Sequence, residues 1–211
     1  EIIPNGIRVD NYANGVAPFA ELQDGMINLL FVGRLEKRKG LKYLLAAYGR
    51  LKWDWPNLRL LVVGPGKLDE DSSRIIKERN LQDVIFLGSV SDEDKARYYQ
   101  TADIYCSPAT GRESFGIVLL EAMAAGKPIV VTAIDGYASV ITDGKEGLLV
   151  RPKDEEALAD GIASLLKDPS LRSTLAANGR NKVQEFRWDR VARQVMDHYT
   201  TRLNGVSAAS G

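Results

Sequence analysis

What most constrains this chain is a regular alternation of short, nearly continuous apolar runs with longer segments of helical spacing. The runs are Ile27–Val32, Leu58–Val63, Val84–Leu87, Ile104–Ser107, Ile129–Thr132 and Gly147–Val150. They are rich in Val, Ile and Leu with little polar alternation, as expected of strands covered on both faces. Between them, helices are expected over Leu41–Lys52, Ser72–Arg79, Asp92–Gln100 and Phe115–Ala125, with a short helical turn near Ala138. After the last strand the pattern turns wholly helical, over Asp154–Lys167, Ser170–Phe186 and Trp188–Leu203. Strand–helix alternation implies right-handed crossovers. The expected fold is therefore α/β: a Rossmann-like, doubly wound parallel sheet of about six strands, with C-terminal helices.

A length of 211 residues suits one large domain or two small ones, with ample chain for a buried core. The expected division is a connector and lead-in over residues 1–25, the sheet domain over 26–187, and a C-terminal helix and tail over 188–211. The 28 basic residues balance 28 acidic ones, so bulk charge does not point to nucleic acid or an anionic membrane surface. No apolar run is long enough to span a bilayer. Cys106 is the only cysteine and sits in an apolar run, so it is expected to pack in the core; neither a disulfide, a CxxC pair nor metal-ligand spacing is available. The opening Glu1-Ile2-Ile3-Pro4-Asn5-Gly6 looks like the middle of a longer chain cut at a connector, and the small, polar tail Ser207–Gly211 is expected to fray.

In open α/β sheets, ligands bind beyond the carboxyl ends of the strands. The unusual residues cluster at those ends. Gly33-Arg34 and then Lys39-Gly40 follow the first strand, Gly64-Pro65-Gly66 the second, Gly88-Ser89-Val90 the third, and Pro108 to Gly116 the fourth. Glycines let a ligand approach the backbone, and cations beside a helix N-terminus describe an anion site, most simply a phosphate. The run Lys37-Arg38-Lys39 concentrates positive charge where a helix dipole disfavours it unless an anion joins. The alternative is a solvated cluster. A GxGxxG fingerprint is missing from the first turn, which lowers a nicotinamide or flavin reading.

The stretch from Glu113 to Gly126 is the most informative. Ser114 is expected to cap the helix that follows, and that helix is apolar almost all round, so it should be buried. Glu121 is its only charge, and a buried carboxylate needs partners. Two turns beyond Ser114, it would lie where the next polar part of a phosphate-bearing ligand falls, such as a ribose with two hydroxyls. The alternative is pairing with a cation of the fold.

Glu113 and Glu121, eight positions apart, together with Gly33-Arg34 and Lys39-Gly40, resemble the donor domain of family-4 retaining glycosyltransferases of GT-B fold; Ile3-Pro4-Asn5-Gly6 is similar to the segment where that family crosses into its second domain. The resemblance covers essentially the whole chain. It implies that Arg34 and Lys39 bind the donor diphosphate and stabilise the departing nucleotide. Glu113 would bond hydroxyls of the transferred sugar. Ser114 and the backbone amides of Phe115, Gly116 and Ile117 would line the sugar and phosphate, beside Gly33 and Gly64. Glu121 would take the ribose, and Gly88 to Val90 the base.

The segments Phe86 to Lys95 and Ala102 to Pro108 are most similar to phosphatidylinositol mannosyltransferases, which implies GDP-mannose. A carboxylate at Asp92 could accept both donors of a guanine edge, and Lys95 could reach guanine O6; Ser91-Asp92-Glu93-Asp94 is equally a helix start. Arg112 stands where those relatives usually carry a small residue. The resemblance further implies no metal or other cofactor, an acceptor domain earlier in the same parent chain, no nucleic-acid partner, no membrane contact by this part, and a cytoplasmic enzyme that sits, if anywhere, peripherally on the inner face of a membrane. The glycine-rich loop and histidine of the acceptor half are not visible, and His198 reads as a surface or packing residue, so the chain is expected to bind donor without transferring sugar. The competing readings are a UDP- or ADP-sugar enzyme, a non-catalytic nucleotide-binding module, and an NAD-dependent oxidoreductase.

Overall fold

The computed structural model describes residues 4–13 and 15–208, with side chains up to residue 200. Six strands, β1 (Ile27–Val32), β2 (Leu58–Val63), β3 (Val84–Gly88), β4 (Ile104–Ser107), β5 (Ile129–Thr132) and β6 (Leu148–Val150), form one sheet. Every pairing is parallel, in the order β3-β2-β1-β4-β5-β6. Helices α1 (Leu41–Asp54), α2 (Glu70–Glu78), α3 (Asp92–Thr101), α4 (Ile117–Ala124) and α5 (Asp135–Ala138) connect successive strands, and α6 (Glu155–Lys167), α7 (Pro169–Lys182) and α8 (Trp188–Ala208) follow the last one. The winding direction reverses between β1 and β4, so the loops after those two strands flank a crevice.

Alternation along β1 divides the core. Leu29 and Phe31 pack with Leu44, Leu45 and Tyr48 of α1 and Ile162 and Leu165 of α6. Leu30 and Val32 face Tyr99 of α3 and Leu119 and Met123 of α4. Both faces are covered, which is why the strands read as nearly continuous apolar runs. Cys106 is fully buried in the first layer, and burial holds its thiol above the ordinary range.

Several boundaries shift by a residue or two, α8 runs past the expected end at Leu203 to Ala208, and two further differences change the reading of an element. The helix expected from Phe115 starts at Ile117, and its N-cap is Gly116, not Ser114: Gly116 takes a left-handed conformation (φ 75°) and a Cβ there would press on the Tyr137 ring. The helix expected from Ser170 to Phe186 ends at Lys182 and tightens into a 3₁₀ turn over Val183–Phe186. Helical spacing cannot separate those two windings, because apolar residues three or four apart suit both.

The lead-in packs into the fold. Ile7, Val9 and Tyr12 are buried in the α3–α4 layer. The Ile7 amide donates to the Phe186 carbonyl (2.8 Å), the Trp188 ring lies against Gly6, and Arg187 donates twice to Asp10 (3.1 and 3.0 Å). Ile3 and residues 209–211 lie outside the described residues, and with them part of the crossover segment and of the tail.

Candidate functional site at the switch point

The strand ends at the crevice are laced together by backbone. The Gly33 amide donates to the Val63 carbonyl (2.9 Å) and the Gly64 amide to the Gly88 carbonyl (2.8 Å). Gly64 is at φ 137°, and any side chain there would collide with the Gly33 carbonyl. Its glycine is thus explained by backbone packing alone. Gly88 also has positive φ but open space where a Cβ would be. Val90 is half-buried against the α3–α4 layer.

Helix starts at this rim fall into two kinds. Asp69, Ser91 and Asp154 cap α2, α3 and α6 through their side chains, while the four-residue α5 starts on extended Ile134 without such a cap. The two helices that flank the switch point, α1 and α4, begin on left-handed Gly40 and Gly116 with no side-chain cap. Their first-turn amides keep the positive end of each helix dipole open to an anion.

Between those two helix starts, the Lys39 Nζ lies 2.7 Å from Glu113 Oε1, and Arg38 bonds the same oxygen. The Lys39 and Glu113 side chains are about one-tenth exposed, whereas Arg34 is 71% exposed and bridges only to Glu36, at 3.5 Å. Desolvation works against the Arg38 charge, but Glu113 and Glu36 outweigh it and hold its pKa above the usual range. Ser114 is exposed, Phe115 packs edge-on to Phe186, and Ile117 is 41% exposed at the first position of an otherwise buried helix.

Glu121 lies in the second turn of α4 and is buried. Its Oε1 accepts from the Tyr12 hydroxyl (2.8 Å) and from Lys95 Nζ (2.9 Å), and its Oε2 accepts from the Tyr99 hydroxyl (3.0 Å). The cation pairing weighed against a ribose role is therefore present in the fold. Burial alone would lower the Lys95 pKa, yet the Glu121 carboxylate outweighs it and the net shift is upward. Burial first, and then Glu121, push the Tyr12 hydroxyl upward as well. Lys95 also meets Asp92 at 3.1 Å, and Asp92 is 95% exposed on the first turn of α3. Asp92, Lys95 and Glu121 line an open cavity of about 530 Å³ with Asn11, Tyr12 and Glu93. A carboxylate oxygen has about two acceptor positions, so Oε1 is filled and Oε2 has one left. A ligand hydroxyl would take that one or displace Lys95.

Sequence reasoning missed Tyr12 and Tyr99 as partners of Glu121, since they are 109 and 22 residues away. It read Arg38 only as part of a basic run. It missed Gly136, where any side chain would strike the Glu113 carbonyl. Among the described residues, no group of three His, Cys, Asp or Glu could hold a metal ion, and no helix is long and apolar enough to cross a membrane. His198 lies on α8.

Residues 19–182 match the family model described as glycosyl transferases group 1. The chain is 41% identical over 204 residues to a phosphatidyl-myo-inositol mannosyltransferase of Mycobacterium tuberculosis, covering 94% of this chain and 53% of that protein. A sucrose-phosphate synthase from Thermosynechococcus elongatus superposes with a TM-score of 0.82 at 32% identity, over 97% of this chain and 53% of that one. The C-terminal domain of a group 1 glycosyl transferase from Francisella tularensis, 24% identical, shares the fold with a TM-score of 0.75 over 85% of this chain and 97% of that domain. The chain spans about half the length of the curated relatives it matches. With its Rossmann-like sheet and a family match over most of its length, the chain belongs to the group 1 glycosyl transferases.

Proposed function

We propose that this chain is the donor-binding half of a retaining glycosyltransferase, that it holds a nucleotide-diphosphate sugar, GDP-mannose first among candidates, and that the acceptor is held by another domain of the parent chain. The observation that carries the reading is the pair of helix starts without side-chain caps at the switch point, with Lys39 and Glu113 paired between them and exposed Arg34 on the loop after β1. Arg34 and Lys39 offer two cations to a diphosphate, and the amides of Phe115, Gly116 and Ile117 surround the start of α4. As the sugar leaves the nucleotide, negative charge grows on the phosphate, and donors already in place stabilise it without reorganising. Glu113, held by Lys39 and Arg38, then presents its remaining oxygen to sugar hydroxyls. No protein nucleophile and no metal enter this scheme. The parent enzyme would work in the cytoplasm, peripherally on the membrane when its acceptor is a lipid.

Guanine is favoured by Asp92. Its exposed carboxylate on the first turn of α3 suits the paired N–H groups of that base, and Lys95 stands beside it. The names of the mannosyltransferase relatives support mannose as the sugar. The ribose would reach the free position on Glu121 Oε2.

The test is calorimetric titration of the purified chain with GDP, UDP, ADP and NAD, without added metal. GDP should bind most tightly. Arg34→Ala should weaken it about tenfold or more, the value of a charge-assisted contact, without changing Tm. Asp92→Asn should erase the preference for GDP over UDP. Given GDP-mannose and a phosphoinositide acceptor, the chain alone should show no transfer. Tighter UDP or ADP binding would remove the mannosyl reading and keep the donor reading. Tightest binding of NAD, or no nucleotide binding even by the full-length parent protein, would remove both.

A further inference from the structure

On the α1 side of the same rim lies a second cavity, of about 420 Å³. Lys37, Arg38 and Lys42 line it from the turn and helix after β1, Thr110 and Arg112 from the loop after β4, and Lys153 from the loop after β6. Neither Arg34, Lys39 nor Glu113 contributes to it. Five cations line the cavity and no acidic residue does.

Two of the five are already engaged: Lys42 with Asp71 at 2.9 Å, and Arg38 with Glu36 and Glu113. For Lys37, Arg112 and Lys153, no carboxylate among the described residues lies within ion-pair distance. Three like charges gathered around one hollow repel one another, and the repulsion is relieved by an anion in the middle. The walls are held in place: the Thr110 amide and hydroxyl both donate to the Arg38 carbonyl (2.8 and 3.2 Å), and Arg38 donates to the Arg112 carbonyl (3.4 Å). Arg112 and Lys153 both sit in the left-handed region (φ 59° and 62°), which is unusual for long side chains.

We propose that this cleft is a binding site for a phosphate-bearing group, separate from the donor diphosphate, presented either by a soluble phosphate ester or by an anionic lipid headgroup. It does not depend on the identity of the donor. Cations from three loops surrounding one hollow fit a phosphate oxygen cluster better than a flat membrane surface, which would need only an exposed patch.

The test follows the backbone amide signals of Thr110 and Gly111 by NMR while inorganic phosphate is titrated into the purified chain. They should shift and saturate, and added salt should weaken the effect. Arg112→Asn combined with Lys153→Asn removes two charges while keeping residues that accept the left-handed backbone. That variant should weaken phosphate at least about tenfold with unchanged nucleotide binding and Tm, and Lys37→Gln on the other loop should weaken it independently. Arg34→Ala should leave these shifts alone. Sedimentation with vesicles of phosphatidylcholine, alone or equimolar with phosphatidylglycerol, separates the sources. Binding to the anionic vesicles that the double variant loses identifies a lipid headgroup; phosphate binding without vesicle binding identifies a soluble ester. The proposal is overturned if phosphate shifts only the amides around Gly33 and Gly116, if the double variant binds phosphate as the parent chain does, or if no saturation occurs.

Discussion

Glu121 shows how one buried carboxylate can serve stability and binding together. Lys95, Tyr12 and Tyr99 all donate to it, and only the Lys95 side chain among the charged pair is appreciably exposed, at 22%. Removing the carboxylate leaves the Tyr12 hydroxyl without its acceptor and leaves Lys95 and Tyr99 only Asp92 and the Val118 carbonyl, so Glu121→Ala should cost roughly 2–4 kcal/mol of stability. Tyr99→Phe removes one donor to the carboxylate and should cost about 1 kcal/mol. Thermal unfolding of the two variants checks the order, and a Glu121→Ala protein as stable as the parent would sink this account. The same burial makes Glu121→Ala a poor probe of nucleotide binding, and exposed Arg34 a good one. That Glu121 needs partners was legible in the sequence from a lone charge on an apolar helix. Which partners it has was not, since Tyr12 and Tyr99 reach it only through the packing of the lead-in and of α3 on α4.

At the scale of elements, the strands were the most legible part. β1, β2, β4 and β5 fall where nearly continuous apolar runs put them, because a strand covered on both faces is mostly apolar; the one buried polar residue in each, Asn28, Arg59, Ser107 and Thr132, does not break the pattern. Helix starts were less legible. Ser114 is a good capping residue by type, yet the cap falls two residues later, on left-handed Gly116. A conformation with positive φ is a property of the backbone that composition only hints at. Where a side chain does cap, chemistry gives a pH signature. Asp168 accepts from the amides of Ser170 and Leu171 (2.9 and 3.0 Å), and those bonds, the Leu171 amide foremost, hold its carboxyl below the ordinary value. A depressed carboxyl pKa contributes stability that is present above the unfolded value of 3.8 and is lost as pH falls through the folded one. Asp168→Ala should therefore lower Tm at neutral pH by roughly 2–4 °C, with the difference shrinking in acid; an equal difference at both would contradict the capping argument.

For the whole molecule, the doubly wound topology explains why so much of the rim chemistry converges. The reversal between β1 and β4 brings the loops carrying Lys39 and Glu113 side by side although they are far apart in sequence, and one bridge then ties them at 2.7 Å. The lead-in belongs to this unit physically. Ile7, Val9 and Tyr12 are buried, and each buried apolar side chain contributes about 1.5–3 kcal/mol. A chain starting at Met26 should therefore lose roughly 5 kcal/mol or more, a large share of ordinary domain stability. Circular dichroism melting of that truncation beside the parent chain measures the loss, and an unchanged melt would show the lead-in to be dispensable.

The Tyr12–Glu121 hydrogen bond sets where such proteins can be cut and recombined. The family match begins at residue 19, so a chimaera joined there would carry the catalogued module and leave behind one wall of its own cavity. A seam placed before Gly6 would instead move the Trp188 seat, the Asp10–Arg187 clasp and the Tyr12 hydroxyl as one transplantable piece.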